Sequence, residues 1–186
     1  MNAVFLDRDG VINQKAPEGE YIAQWGAIRY LADALSSSAA LHQAGFKLII
    51  VTNQRGIALG KVRPMDLEDI HHRMREDFAH QGVRIAGIYV CPHDLTDHCS
   101  CRKPNPGLLI KAAREHGLDL LSSWMIGDAE SDVEAGKRAG CKTARILPAG
   151  SIEQQDHKAD ICADNLASAV SRILQLSQMV MPLANP

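Results

Sequence analysis

The stretch AVFLDRDGVIN, residues 3–13, sets a short apolar run directly against two carboxylates. Residues 3–6 carry no charge, Asp7 and Asp9 follow at once, and Gly10 breaks the pattern. A short, continuous apolar run bounded by turn residues is typical of a strand that is covered on both faces. The stretch therefore predicts a buried strand that ends in two acidic side chains.

Further apolar runs alternate with helical patterns along the rest of the chain. The predicted strands are Ala3–Leu6, Lys47–Thr52, Ile85–Val90, Trp124–Ile126, Thr143–Leu147 and Ala159–Cys162. The predicted helices span residues 30–44, 64–81, 106–116, 130–139 and 165–178, the third with Asn105 as its N-cap and Pro106 in its first turn.

Strand–helix alternation of this kind predicts an α/β fold of three layers, doubly wound, with a mostly parallel sheet. A length of 186 residues suits one domain with a sizeable core. We expect that domain to span residues 1–178 and to be followed by a frayed tail over residues 179–186.

The composition argues against several classes of function. The net charge is -2 and only 4% of the residues are aromatic, so we expect neither a nucleic-acid surface held by charge nor a stacking platform for single strands. The sequence contains no run of apolar residues long enough to cross a membrane, and it shows no secretory signal. We therefore predict a cytoplasmic protein without a membrane partner.

The predicted strands end in polar side chains that suit phosphate chemistry. Ligands of such sheets bind beyond the carboxyl ends of the strands, where this chain carries LDRDG, VTNQRG, CRKPNPG and IGDAESD. Asp7 is placed to attack phosphorus, and Asp9 to exchange protons as general acid and base. A magnesium ion held between Asp7 and Asp128 would offset the repulsion between carboxylates and phosphate. The hydroxyl of Thr52 and the ammonium of Lys103 suit the phosphate itself.

Each of these features alone has a simpler explanation. A D-x-D pair often forms only a turn, Asp128 could cap the next helix, and Lys103 could be a solvated side chain. Four such features at four strand ends favour a site of phosphate chemistry.

The segments DRDGVIN, TNQRGIALGK, RKPNPG and IGDAESD resemble those of the haloacid dehalogenase superfamily of aspartate-nucleophile phosphatases. Over about residues 3–175, the chain is similar to the heptose 1,7-bisphosphate phosphatases of that superfamily and to their near relatives, the histidinol-phosphate phosphatases. The resemblance implies that Asp7 is the nucleophile and Asp9 the general acid and base. It also implies a monomer without a large cap domain.

The resemblance further implies the ligands. Asp7, the backbone carbonyl of Asp9 and Asp128 would hold magnesium. The residues expected to bind the substrate and its phosphate are Thr52, Asn53, Gln54, Arg55, Arg102 and Lys103.

Two residues depart from the family pattern. Arg55 stands where the heptose phosphatases usually carry serine, and Ala129 stands where some members carry lysine. The planar guanidinium of Arg55 could hold a second phosphate of the substrate, or it could lie at the surface.

Three of the five cysteines lie close together in CPHDLTDHCSCRKP, residues 91–104. Four side chains of this segment follow a metal-ligand spacing: Cys91, His93, Cys99 and Cys101. Three thiolates and one imidazole form a closed tetrahedral zinc set. The alternatives are unpaired thiols, or His98 in place of His93, but the zinc loop of the similar phosphatases favours His93. We therefore predict a structural zinc in an inserted loop, residues 91–101, which directs Arg102 and Lys103 to the substrate.

The sequence thus predicts a magnesium-dependent phosphatase that acts through an aspartyl-phosphate on a small phosphorylated sugar. The resemblance favours the 7-phosphate of a heptose 1,7-bisphosphate, in the synthesis of nucleotide-activated heptose for lipopolysaccharide or another glycan. A histidinol-phosphate phosphatase is the alternative enzyme, and a non-catalytic phosphosugar-binding module is the alternative class. Intact Asp7 and Asp9 argue against a binding module, because binding requires neither.

Overall fold

The computed structural model describes residues 1–147 and 158–179, without the side chains of the last two. The strands are β1 (Ala3–Leu6), β2 (Lys47–Asn53), β3 (Ile85–Cys91), β4 (Trp124–Gly127), β5 (Lys142–Ile146) and β6 (Ile161–Ala163). The α-helices are α1 (Ala34–Gln43), α2 (Pro64–His80), α3 (Gly107–His116), α4 (Glu130–Ala139) and α5 (Leu166–Met179). The predicted tail, apart from Met179, lies outside the described residues.

One parallel sheet contains all six of these strands, in the spatial order β3-β2-β1-β4-β5-β6. Alternate side chains of the central strands face two cores. Val4 and Leu6 of β1 pack with α1, α2 and α5, whereas Ala3 and Phe5 pack with α3 and α4. All four are fully buried, as expected for a strand covered on both faces. The predicted three-layer α/β fold is confirmed.

The first helix and the last strand differ from their predicted bounds. Helix α1 begins at Ala34 instead of residue 30, because the Leu31 amide donates to the Ile12 carbonyl and holds this segment outside the helix. Strand β6 lies two residues later than predicted at its N-terminal end and pairs Ile161 with Ala144 of β5.

The N-terminal cap of α3 also differs from the prediction. The N-cap is Pro106, and Asn105 lies outside the helix. The predicted capping role of Asn105 is wrong, because its side-chain amide donates to the backbone carbonyl of Cys99 at 2.8 Å. This hydrogen bond ties the cysteine segment to the start of α3.

The strand order brings the predicted site residues together. Strand β1 lies between β2 and β4. The chain segments that follow these strands therefore border one crevice at the carboxyl edge of the sheet. Ligands of such sheets usually bind in this position. Within the described ranges, no inserted segment forms a large cap over this crevice. None of the described helices is long and apolar enough to cross a bilayer.

Helix α4 approaches the sheet closely at Gly136, and this packing can be tested. A Cβ at this position would lie 2.7 Å from Thr143 Cγ2 and 2.8 Å from Met125 Cβ. Overpacking should cost about 1–3 kcal/mol and the helix preference of alanine should offset about 1 kcal/mol of that, so we expect Gly136→Ala to lower the free energy of unfolding by up to about 2 kcal/mol. Chemical denaturation measures this difference.

The matched control is Gly26→Ala, because a Cβ at Gly26 meets no atom within 4 Å. We expect that variant to stay within about 0.5 kcal/mol of the unsubstituted protein. A Gly136→Ala protein that is more stable than the unsubstituted one would contradict the close approach of α4.

Candidate active site

A buried lysine lies at the centre of the polar cluster. The Nζ atom of Lys103 is 2.8 Å from Asp7 Oδ1 and 2.6 Å from Asp132 Oδ1, and it donates to the Val51 carbonyl at 2.9 Å. Burial alone would lower the pKa of Lys103, but the charges of Asp7 and Asp132 outweigh it and raise that pKa. Lys103 therefore carries a fixed positive charge at the end of β1.

Asp7 directly follows the last residue of β1 and lines the crevice. Burial raises the pKa of its carboxyl to about 7; Lys103 opposes this shift, and the charges of Asp132 and Asp9 add to it. A cation bound beside Asp7 would lower this pKa again, because it stabilises the carboxylate. A nucleophilic carboxylate must be ionised, so the site gains its reactive form when it holds additional positive charge.

Three carboxylates at this edge of the sheet could hold such a cation. Asp7, Asp128 and Asp132 each offer an oxygen within 4.8 Å of the others. Asp128 Oδ1 is buried without a hydrogen-bond partner, and Oδ2 contacts the ammonium of Lys15. A cation thus already lies against Asp128, and one of its oxygens is still free for a metal. The donors are all hard oxygens, as magnesium prefers.

Asp132 was not assigned to the magnesium site by sequence, and the structure adds it. It lies in the first turn of α4 and in the same IGDAESD segment as Asp128, and this second acid close to Asp128 in the sequence is the signal that could have identified it. Its carboxylate also accepts from the Ala129 amide at 3.0 Å. The alternative that Asp128 caps this helix does not hold, because the N-cap is Ala129.

Asp9 has a different environment from Asp7, because hydrogen-bond donors surround it. Arg8 Nη2 lies 2.9 Å from Oδ2, and the side-chain amide nitrogens of Asn13 and Gln54 lie 2.8 Å from Oδ1 and Oδ2. The Gln54 nitrogen also donates to Thr52 Oγ1 at 2.8 Å. Gln54, predicted to bind phosphate, thus connects Asp9 to Thr52.

The chain before Lys103 is held in place by Asn53. The Asn53 side-chain amide donates to the Lys103 carbonyl, and the Lys103 amide donates to Asn53 Oδ1, both at 3.1 Å. These two bonds fix the backbone from which the ammonium extends. An open cavity of about 280 Å³ lies above this arrangement, and its lining includes Asp7, Thr52 and Asp128.

The two predicted arginines are placed differently from the other candidates. Arg55 pairs through Nε with Asp94, and Arg102 donates to the backbone carbonyl of His93 at 3.3 Å. Neither lines the cavity that holds Asp7 and Lys103. Thr52, Asn53, Gln54 and Lys103 do line it. A substrate contact of Arg55 or Arg102 stays a prediction.

The cysteine segment brings its four predicted ligands together. The Sγ atom of Cys99 lies 3.6 Å from that of Cys91 and 3.4 Å from that of Cys101. His93 Nδ1 lies 3.1 Å from Cys101 Sγ and 3.6 Å from Cys91 Sγ. Tetrahedral zinc–thiolate geometry requires sulfur–sulfur separations of about 3.8 Å. The group therefore has the size and donors of a zinc site, and the exposed His98 is outside it.

Comparison with known proteins agrees with this site. The HAD-hydrolase-like family model matches residues 100–170, the part of the chain with Lys103, Asp128 and Asp132. The D-glycero-beta-D-manno-heptose-1,7-bisphosphate 7-phosphatase of Pseudomonas aeruginosa is 34% identical over 175 residues, which cover 92% of this chain and 97% of the relative. The corresponding phosphatase of Bordetella bronchiseptica is 37% identical over 189 residues, and the alignment covers 94% of this chain and 99% of that relative.

A solved structure agrees with the sequence relatives. The D,D-heptose 1,7-bisphosphate phosphatase of B. bronchiseptica, complexed with magnesium and phosphate, has a TM-score of 0.82 and 30% identity, and covers 95% of this chain and 99% of its own. Fold and site define a phosphatase of the haloacid dehalogenase type. Within that class, the chain belongs to the family of the heptose-1,7-bisphosphate 7-phosphatases. The resemblance seen in the sequence is confirmed.

Proposed function

We propose that this protein removes the 7-phosphate from D-glycero-D-manno-heptose 1,7-bisphosphate through an aspartyl-phosphate on Asp7, with magnesium as its cofactor. The observation that supports this most directly is the position of Asp7, at the end of β1 and 2.8 Å from the buried ammonium of Lys103. Relatives with this named activity align over nearly the whole chain, which supports the same substrate here.

Asp7 and Asp9 have different roles in the proposed reaction. A carboxylate oxygen of Asp7 attacks phosphorus, the bond from phosphorus to the sugar oxygen breaks, and Asp9 gives that oxygen a proton. Asp9 then takes a proton from water as the water attacks phosphorus and the bond to Asp7 breaks. Inorganic phosphate leaves, Asp7 is again a carboxylate, and Asp9 again carries the proton that it gave to the sugar oxygen. Lys103 stabilises the negative charge that develops on the phosphoryl oxygens.

The proposed magnesium ligands are Asp7 and Asp128, with Asp132 beside them and with the Asp9 carbonyl implied by family resemblance. The unpartnered, buried oxygen of Asp128 supports this assignment. Magnesium would supply positive charge between the carboxylates and the phosphate, which otherwise repel each other.

The proposed zinc is structural, because four protein ligands leave no open position for water. Its loop ends two residues before Lys103. Fixing the loop therefore limits where the Lys103 ammonium can lie. Cys91, Cys99, Cys101 and Cys141 form no disulfide within the described residues, which is compatible with the reducing cytoplasm in which we place the protein. We propose that it acts there as a monomer.

A panel of phosphate esters tests the proposed substrate. We expect the protein to release one phosphate from heptose 1,7-bisphosphate, leaving the 1-phosphate, and to act poorly on histidinol phosphate. Asp7→Asn should abolish release while the circular dichroism spectrum is unchanged, because an amide cannot form the aspartyl-phosphate. Phosphate release and the identity of the remaining sugar phosphate are measured.

The matched control is Asp69→Asn, which removes an exposed carboxylate of α2 that pairs with Arg73. We expect wild-type turnover from it. Asp7→Asn activity within about tenfold of wild type would exclude the covalent mechanism, and a preference for histidinol phosphate would replace the proposed substrate. Binding of the bisphosphate without any release would indicate a non-catalytic module.

Magnesium binding can be tested without measuring activity. After chelation, magnesium should raise the melting temperature, because a ligand of the folded state at a hundred times its Kd adds about 2.7 kcal/mol of stability. Asp128→Asn should lose most of this increase, and Asp69→Asn should retain it. An unchanged melting temperature at saturating magnesium would contradict a magnesium site at these carboxylates.

The zinc proposal predicts about one tightly held zinc per chain by elemental analysis. Cys99→Ala and His93→Ala should lose zinc and melt at a lower temperature. His98→Asn is the control, since His98 has a left-handed backbone (φ 46°) that asparagine tolerates, and it should keep its zinc. Zinc lost from the His98 variant and kept in the His93 variant would reverse the assignment.

A further inference from the structure

The inward face of α2 contains one polar side chain among apolar ones. The buried residues of this helix are Leu67, Ile70, His71, Met74 and Phe78. His71 is 6% exposed, whereas the side chain of its neighbour His72 is 73% exposed. A buried polar group requires a partner, so the contact that His71 makes explains its position.

That partner is Arg8, the residue between the two catalytic aspartates. His71 Nε2 lies 3.3 Å from Arg8 Nη1. On its other side, the Arg8 guanidinium reaches Asp9, with Nη2 at 2.9 Å from Oδ2 and Nε at 3.2 Å from Oδ1. Arg8 is only 1% exposed. One buried, planar group therefore contacts α2 at one edge and Asp9 at the other.

The chemistry of the pair determines which atom donates. Arginine has only donors, so His71 Nε2 must be the unprotonated acceptor, and a proton of the neutral ring must lie on Nδ1. Burial, and then the charges of Arg8 and Arg75, lower the pKa of His71 to about 3. His71 is therefore a neutral acceptor at ordinary pH.

We propose that His71 is a positioning residue for the general acid, because its bond to Arg8 Nη1 orients the guanidinium that holds the Asp9 carboxyl group. This inference rests on the proposed function of Asp9. Without the acceptor on His71, the planar guanidinium of Arg8 can turn about the single bonds of its side chain. Its Nε and Nη2 donors then no longer face Asp9 together. The Asp9 carboxyl group then keeps only its bonds from Asn13 and Gln54, and its orientation toward the leaving oxygen is less closely fixed.

The leaving group distinguishes this role from a purely structural one. A sugar oxygen needs a proton when it departs, whereas p-nitrophenolate leaves without one. The constant kcat/KM reports only the steps up to departure of the leaving group, so slow hydrolysis of the aspartyl-phosphate does not affect it. A defect in Asp9 therefore lowers kcat/KM for the sugar phosphate more than for p-nitrophenyl phosphate.

The test compares these two substrates in four variants. Asp9→Asn is the reference, with an expected selective loss of about 100-fold to 10,000-fold on the sugar phosphate. His71→Leu should show the same selectivity with a smaller loss, about 10-fold to 100-fold, since it changes only position. His71→Gln keeps an acceptor near the Nε2 position and should recover most of the rate. His71→Asn is one methylene shorter and should not.

Two further comparisons serve as controls. His72→Gln changes the adjacent exposed histidine and should retain wild-type kinetics on both substrates. In an Arg8→Met background, His71→Leu should cost nothing further, because His71 acts only through Arg8. The Gln and Asn variants at position 71 are polar and of similar size, so their comparison also decides the question if the Leu variant does not fold.

Three outcomes would overturn the role of His71: equal losses on both substrates, no difference between the Gln and Asn variants, or a full additional loss in the Arg8→Met background. Failure of the proposed function appears separately. It would be seen as an unsubstituted protein that does not turn over the bisphosphate, or as an Asp9→Asn protein without leaving-group selectivity.

Discussion

The buried ammonium of Lys103 is the interaction on which this site depends. It lies between the carboxylates of Asp7 and Asp132 and also binds the Val51 carbonyl of β2. Two buried carboxylates this close would repel each other, and one would take up a proton, if no cation lay between them. Because these partners come from the end of β1, from β2 and from α4, the same charge that offsets the repulsion between the carboxylates also holds these three elements together.

The placement of Lys103 depends in turn on its neighbours in the chain. Asn53 fixes its backbone through two hydrogen bonds, and Asn105 binds the carbonyl of Cys99. The cysteine cluster and the carboxylate cluster around Lys103 are therefore connected through the chain, although the two groups that could hold a metal ion share no residue. A loop change that moved the ammonium away from its carboxylates would be costly, because breaking a buried ion pair costs about 3–5 kcal/mol.

Much of this arrangement followed from the sequence. The apolar run before Asp7 predicted a buried strand because its burial on both faces requires uninterrupted apolar residues. Strand–helix alternation predicted a parallel sheet, and a parallel sheet brings its carboxyl ends to one edge. The meeting of Asp7, Thr52 and Asp128 is a consequence of these two rules, whereas Lys103 lies twelve residues beyond the end of β3 and reaches the site through its contacts with Asn53. The spacing of the cysteines likewise indicated a ligand set.

Other features were decided only by the tertiary structure, because they depend on side-chain directions and on distances between separate segments. Spacing left His93 and His98 as alternatives, and packing brings only His93 to the three thiolates. Gln54 lies in a segment that resembles a phosphate-binding motif, yet its amide reaches Asp9. The contact of His71 with Arg8 spans 63 residues of sequence. No local pattern encodes such a distance, whereas strands, turns and ligand spacings are local and can be predicted from neighbouring residues.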